Sequence, residues 1–419
     1  MKVTLSPSIP EGSVKAIASK SVAHRSLICA AFAEKPTKIF CEETNKDIEA
    51  TAGCLSALGA DIKREGDHYT VCPISKPRRH ATLDCNESGS TLRFLLPIAA
   101  ALGADADFLM AGRLPQRPLS PLREELEAHG ISFSPAGSNP LSVRGVLDGG
   151  DITIAGNVSS QFISGLLFAL TVSKRSAKLK IEGSIESAPY IKMTEDALEL
   201  FSVRPSLEGN VYTPASSPII SPSEIWVEGD WSNAAFPMAA GALSPKGVTV
   251  TGLNPRSSQG DKAIAELLCR FGASVTQKDG SYTVRRKTLR GIDIDASQIP
   301  DLVPILATVA SVAEGKTRIY GAARLRIKES DRLMSTRAML SALGADIREL
   351  EDGLEIIGKP CLEGGCVSSF NDHRIAMSAA VASAVCRGEV TVNGAEATDK
   401  SYPTFWQAMD SLNFSLGIS

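Results

Sequence analysis

Six stretches of small and apolar residues recur along the chain at nearly constant spacing. They begin near Ser21, Ser90, Ser160, Ser232, Asp301 and Asp372, at intervals of 69, 70, 72, 69 and 71 residues. Each is apolar almost all round after its first turn, as in SSQFISGLLFALTVS and FNDHRIAMSAAVASAVCRG. Helices of that kind are buried. A second series keeps step with the first: Gly59, Gly130, Ser202, Gly272, Gly344 and Asn413, separated by 71, 72, 70, 72 and 69 residues. Each of these stands between an amphipathic helical pattern and a strand, and the octapeptide LSALGADI occupies two such points, 55–62 and 340–347. Glycine or asparagine there suits a helix that ends in a left-handed residue. A short β-rich run such as GVTVTG or EVTVNG follows each buried helix, and a hairpin such as DIKREGDHYTV usually follows the amphipathic one. The predicted unit is strand, buried helix, strand, exposed helix, hairpin, repeated six times.

Six units in 419 residues exceed one compact core, and two α/β domains of three units each is the economical packing, with the change near residues 221–230. Composition then narrows the function. With 44 Lys and Arg against 47 Asp and Glu, the net charge of -3 gives no global pull toward nucleic acid or an anionic membrane. Any anion site must come from cations gathered locally. The nine cysteines are scattered without a CxxC pair, which fits reduced thiols better than a disulfide framework or a zinc site. The N-terminus has no apolar signal core, and no run approaches the roughly 18 apolar residues of a membrane span. A cytoplasmic protein is the expectation.

Polar residues of the buried helices crowd into their first turns, where free N–H groups and the helix dipole favour anions. The first set is Lys20, Ser21 and Arg25 in ASKSVAHRSL; then come Ser88, Gly89, Ser90 and Arg93; Ser159, Ser160 and Gln161; Asp301; and Asn371 to Arg374. Serine and aspartate are ordinary caps. The arginines are not, because a guanidinium one turn inside an apolar helix is costly unless paired. Loops before the exposed helices are enriched in the same way: Arg113 and Arg117 in GRLPQRP, Ser187 and Tyr190 in SIESAPY, three arginines with Lys328 and Glu329 in ARLRIKESDR, and Lys400 in EATDKSYP. Cations from both halves of the chain suggest an interdomain cleft for a small polyanion. Asp301 and Glu329 among so many cations oppose anion binding and are better read as proton acceptor and donor. No P-loop, GxGxxG, HExxH or CxxC is present, so neither a nucleotide cofactor nor a metal is expected.

With these motifs in order, the whole chain resembles the 5-enolpyruvylshikimate-3-phosphate synthase family. SKSVAHR, ESGSTLR, SSQ, SAPY, IPD, KESDR, NDHR and the late Asp-Lys pair each have a counterpart. The resemblance implies a two-domain inside-out α/β barrel of six βαβαββ repeats. Domain I would be residues 1–14 with 229–419, completed by the N-terminal strand, and domain II residues 15–228. It also implies the reaction: the enolpyruvyl group of phosphoenolpyruvate passes to the 5-hydroxyl of shikimate 3-phosphate, with no cofactor. Lys20, Ser21, Arg25, Ser159, Ser160, Gln161, Ser187, Tyr190, Asp301 and Lys328 would hold shikimate 3-phosphate. Lys20, Gly89, Arg113, Gln161, Arg332, Arg374 and Lys400 would hold phosphoenolpyruvate. Asp301 would take the hydroxyl proton, and Glu329, helped by Lys20, would protonate the methylene carbon. Together the substrates bring roughly five to six negative charges, which accounts for so many cations.

Two positions depart from the family pattern: Glu87 and Arg324 stand where asparagine is usual. A related transferase acting on UDP-N-acetylglucosamine shares the fold but uses a loop cysteine, and AGRLPQRPLSPL has none. A non-catalytic nucleic-acid clamp would gain nothing from Asp301 and Glu329. The expected partners are therefore two small molecules, not nucleic acid or membrane, acting on a monomer.

Overall fold

The computed structural model describes residues 1–173, 177–215 and 217–419. Its strands form six four-stranded sheets. In the second repeat, His80–Asp84 pairs parallel with Asp105–Leu109 across a buried helix, and Asp105–Leu109 pairs antiparallel with Leu141–Arg144 of the hairpin. The third and fifth repeats follow the same scheme. These pairings are those of the unit read from the sixfold pattern, and they agree with the inside-out α/β architecture that the resemblance implies.

The buried helices are Lys20–Ala31, Gly89–Leu102, Ser160–Ser173, Trp231–Leu243, Val303–Ala310 and His373–Ala382. Side-chain oxygens of Ser19, Ser88, Ser159, Asp230 and Asp372 cap five of them. The fifth helix differs from its sequence pattern. Pro300–Leu302 closes a 3₁₀ turn that carries Asp301, and the α-helix starts only at Val303. Pro304 has no N–H to donate to the carbonyl of Pro300, so the α-helical ladder cannot run through this turn.

All six in-phase turn residues have left-handed backbones: φ is 123° at Gly59, 86° at Gly130, 64° at Ser202, 104° at Gly272, 91° at Gly344 and 64° at Asn413. At Gly272 a Cβ would also overlap the carbonyl oxygen of Thr288, so both the turn and the close approach require glycine. The period seen in the sequence is therefore a period of helix ends.

The chain divides into two compact units, Met1–Ile17 with Glu228–Ser419, and Ala18–Val227, each with its own apolar core. Three sheets take a strand from outside their repeat. Glu11–Lys15, directly before the first buried helix, pairs parallel with Gly247–Thr251 of the fourth repeat. Glu224–Trp226, just before the fourth buried helix, pairs parallel with Thr37–Phe40 of the first. Lys2–Ser6 lies between Val390–Asn393 and Ser415–Ile418 of the sixth. The N-terminal segment thus contributes two strands to the larger unit, where a single strand was expected. Among the described residues no helix is long and apolar enough to cross a membrane.

Candidate active site

In the unit Ala18–Val227, the first turns of three buried helices carry the polar groups. Lys20 opens its helix and donates to Asp47 Oδ2 at 2.9 Å, both side chains being mostly buried. Asp47 lies in the first turn of the exposed helix Lys46–Leu58. Arg25, one turn further in, is only 2 % exposed. Its Nε donates to Thr194 Oγ1, its Nη1 to the Ser21 carbonyl and its Nη2 to the Tyr190 carbonyl, each at 2.8 Å. The guanidinium also stands 5.0 Å from the centroid of the Phe94 ring. Among the described residues no carboxylate pairs with it, and burial pushes its pKa down to about 10. A buried cation held only by neutral groups and a ring face is prepared for an incoming anion.

Gln161 is fixed from two sides. Its Nε2 donates to Ser90 Oγ at 2.8 Å, and its Oε1 accepts from Arg93 Nη1 at 3.4 Å. The helices bearing these residues approach so closely at Gly165 that a Cβ there would overlap the Arg93 carbonyl oxygen. Ser159 accepts from the Gln161 N–H, and Ser160 starts the helix. Ser187, buried at φ 54°, immediately precedes the helix Ala188–Leu200 that carries Tyr190 and Thr194.

At Gly89 a Cβ would lie 2.6 Å from Arg93 Nη1 and 2.7 Å from Arg117 Nη1. Two guanidinium groups therefore converge on this helix start, and the space a side chain would fill belongs to them. Arg113, proposed from the sequence for this role, is exposed in the same loop. The 3₁₀ turn Leu114–Gln116 separates the two arginines and turns Arg117, not Arg113, toward Gly89. Glu87 points to the Gly112 turn, where φ is 55° and a Cβ would overlap its carboxylate.

The other unit gathers the acids. Arg332, 2 % exposed, donates through Nε to Asp372 Oδ2 at 2.8 Å, through Nη1 to Asp301 Oδ1 at 2.8 Å and through Nη2 to Glu329 Oε2 at 2.6 Å. Arg374 donates to Asp301 Oδ2 at 2.9 Å, and Ser330 Oγ to Asp372 Oδ2 at 3.0 Å. Lys400 Nζ donates to the Asn371 carbonyl at 2.7 Å. Burial pushes the Asp301 carboxyl up, but Arg374, Lys328 and Arg332 together outweigh it and hold the group well below the usual carboxylate range. Arg332 is the mirror case: burial opposes its charge, and Asp372, Glu329 and Asp301 more than restore it. Arg324 donates to the Ser297 carbonyl at 2.9 Å.

A family model described as EPSP synthase (3-phosphoshikimate 1-carboxyvinyltransferase) matches residues 7–409. The chain belongs to the EPSP synthase family. It is 42 % identical over 418 residues to a 3-phosphoshikimate 1-carboxyvinyltransferase of Clostridium perfringens, covering 98 % of each chain. A protein of the same name from Clostridium kluyveri is 40 % identical over 422 residues, covering 98 % of this chain and 97 % of its own. The solved EPSP synthase of Acinetobacter baumannii superposes with a TM-score of 0.82 at 26 % identity, over 100 % of this chain and 99 % of that one. The shared fold thus accompanies sequence similarity along the whole length.

Three residues near the clusters were not singled out from the sequence as site residues: Asp47, Thr194 and Asp261. Asp47 resembles any acid in the first turn of an exposed helix. Asp261, in the turn Gly260–Lys262, is 2 % exposed and accepts from Ser232 Oγ. Burial, with the negative charge of Asp301, raises its pKa to about 6 against the pull of Arg374 and Ser232. Because the folded-state pKa is raised, the folded protein holds this proton where the unfolded chain has lost it, and stability falls as pH rises from about 4 to about 6. Asp261→Asn keeps an acceptor for Ser232 and removes the titration. Its stability relative to the parent should therefore increase across that window, by at most about 3 kcal/mol, in denaturant melts at paired pH values. A constant difference would show that Asp261 does not titrate there.

Proposed function

We propose that the chain transfers the enolpyruvyl group of phosphoenolpyruvate to the 5-hydroxyl of shikimate 3-phosphate and releases phosphate. The reading includes the coarser expectations made with it: two small-molecule substrates and a cytoplasmic monomer. The observation that carries it is the arrangement around Arg332 and Arg374, whose guanidinium groups are engaged by Asp301, Glu329 and Asp372. Asp301 and Glu329 are the residues the chemistry would require as base and acid, resting on the cations a carboxylate or phosphate would claim.

An anionic substrate at Arg332 and Arg374 would take the place of Asp301 and Glu329. Losing a cationic partner raises a carboxyl pKa. Asp301 then becomes a stronger base and accepts the proton of the 5-hydroxyl as its oxygen bonds to C2 of phosphoenolpyruvate. Glu329 delivers a proton to C3, which becomes a methyl group, giving a tetrahedral adduct. Loss of phosphate from C2 and of one methyl proton restores the methylene. Arg25 suits the shikimate carboxylate, since its partners are neutral. Ser159, Ser160, Ser187 and Lys328 are assigned to the shikimate phosphate by the family pattern, with Tyr190 at the ring. Lys20, Lys400 and Gln161 are assigned to the reacting region.

Gly89 with Arg117 replaces Gly89 with Arg113 in this reading. Arg117→Ala should raise the KM for phosphoenolpyruvate by about tenfold or more, whereas Arg113→Ala should leave it within about twofold. Steady-state kinetics with shikimate 3-phosphate saturating separates the two, and the opposite ranking would return the role to Arg113. The reaction itself is tested by phosphate release with both substrates, each omitted in turn. Release that does not depend on shikimate 3-phosphate would overturn the proposed function.

A further inference from the structure

His24 shares its two helical turns with Lys20 and Arg25 but takes no part in the chemistry proposed above. It is 1 % exposed, and its Nδ1 lies 2.7 Å from Thr51 Oγ1. Thr51 Oγ1 lies 2.7 Å from Thr91 Oγ1, and the Thr91 hydroxyl donates to Ser88 Oγ at 2.7 Å. Thr51, Thr91 and Ser88 are each fully buried. A run of four polar side chains in a core is unfavourable unless every link is made.

Counting protons gives the run a direction. Thr91 has one hydroxyl proton, directed at Ser88 Oγ or at the Asp47 carbonyl 3.4 Å away. Thr51 must therefore donate to Thr91, and it can only accept from His24. The imidazole then carries its proton on Nδ1, and Nε2, which has no partner among the described residues, is a bare lone pair. The reverse order would bury an Nε2–H donor without an acceptor, the costlier orphan. Burial, reinforced by the charges of Lys20 and Arg25, keeps the ring neutral.

The run ties together three helix starts. Residues 20 and 24, and residues 47 and 51, are each four apart, so the Lys20–Asp47 pair and the His24–Thr51 bond are parallel rungs between the same two helices. Thr91 extends the second rung to a third helix, whose cap Ser88 precedes the Gly89 approached by Arg93 and Arg117. We propose that His24, Thr51 and Thr91 are positioning residues, which set the register of the Lys20–Asp47 pair against the Ser88–Gly89 turn and thereby control substrate binding without touching substrate. Its kinetic consequence rests on the function proposed above.

Thr51→Val keeps the side-chain volume and breaks both links. It should lower kcat/KM by about tenfold or more, because small displacements of a positioning group are expensive. Thr51→Ser, which restores the hydroxyl, should recover most of that loss. Thr51→Val with Thr91→Val should be hardly worse than the weaker single variant, since a broken chain cannot be broken again. A Thr51→Val protein with a lower Tm but unchanged kcat/KM, or variants whose effects multiply, would overturn the positioning role. Nitrogen-15 NMR of the parent, with the His24 signals identified through His24→Asn, tests the chain without any folding-sensitive substitution of Thr51. The expected result is a neutral Nδ1–H ring across about pH 6–8. An Nε2–H ring, or a ring that titrates in that range, overturns the proposal. Failure of the parent to turn over shikimate 3-phosphate would instead overturn the function and leave the NMR result standing.

Discussion

Asp301→Ala is expected to bind both substrates while losing turnover by about 10²–10⁴-fold or more, the range for a removed general base. Binding should survive because the change removes an acid from Arg332 and Arg374, the two guanidinium groups assigned to phosphoenolpyruvate. With one internal competitor gone, these cations are more available, and calorimetry in the presence of shikimate 3-phosphate should give a Kd equal to or tighter than the parent's. Turnover should not survive. In the substrate-free protein the cations hold the Asp301 carboxyl well below the usual carboxylate range, so the proposed base role requires substrate to take those cations away. The paired measurement distinguishes this scheme from a purely structural Asp301. Weakened binding with retained turnover would sink the assignment.

The same competition explains why part of the site could be read from sequence and part could not. Lys20, Arg25, Arg93 and Arg374 are conspicuous because cations in the first turns of otherwise apolar helices conflict with burial, and such conflicts are visible in a linear pattern. Asp47 and Asp261 conflict with nothing locally. One stands in the first turn of an exposed helix and the other in the turn before one, and only the tertiary structure brings Lys20 or Ser232 to them. Arg113 and Arg117 sit four residues apart in one loop, so spacing alone could not choose between them; the 3₁₀ turn at Leu114 does.

For the fold, the division is between local and non-local rules. A helix end that needs a left-handed residue leaves its mark at that residue, and all six such marks coincide with positive φ. Strand partnership leaves no such mark. Glu11–Lys15 and Glu224–Trp226 each immediately precede a buried helix, as the repeat requires, yet each pairs with the strand that follows the other's helix. Nothing in EGSVK or EIW specifies that exchange, because a short strand's alternation fixes which face is buried and not which neighbour it meets.

Glu329→Gln is expected to lose turnover by at least about 10²-fold and to lose solvent exchange with it. Glu329 Oε2 accepts from Arg332 Nη2 at 2.6 Å, an arrangement of a carboxylate with a guanidinium and not of a proton donor. To protonate C3 of phosphoenolpyruvate it must first leave Arg332 and take up a proton, and a substrate anion at Arg332 supplies the cause. Glutamine keeps the shape and can still accept from Arg332, but it has no proton of suitable acidity to deliver. In deuterated water the parent should place deuterium in the methylene group of product and recovered phosphoenolpyruvate, because the transient methyl group can return a different hydrogen from the one it gained. The variant should not. Exchange at the parent's rate in Glu329→Gln would assign the C3 proton to another group, with Lys20 the next to test, and would leave the rest of the Arg332 cluster as a binding device alone.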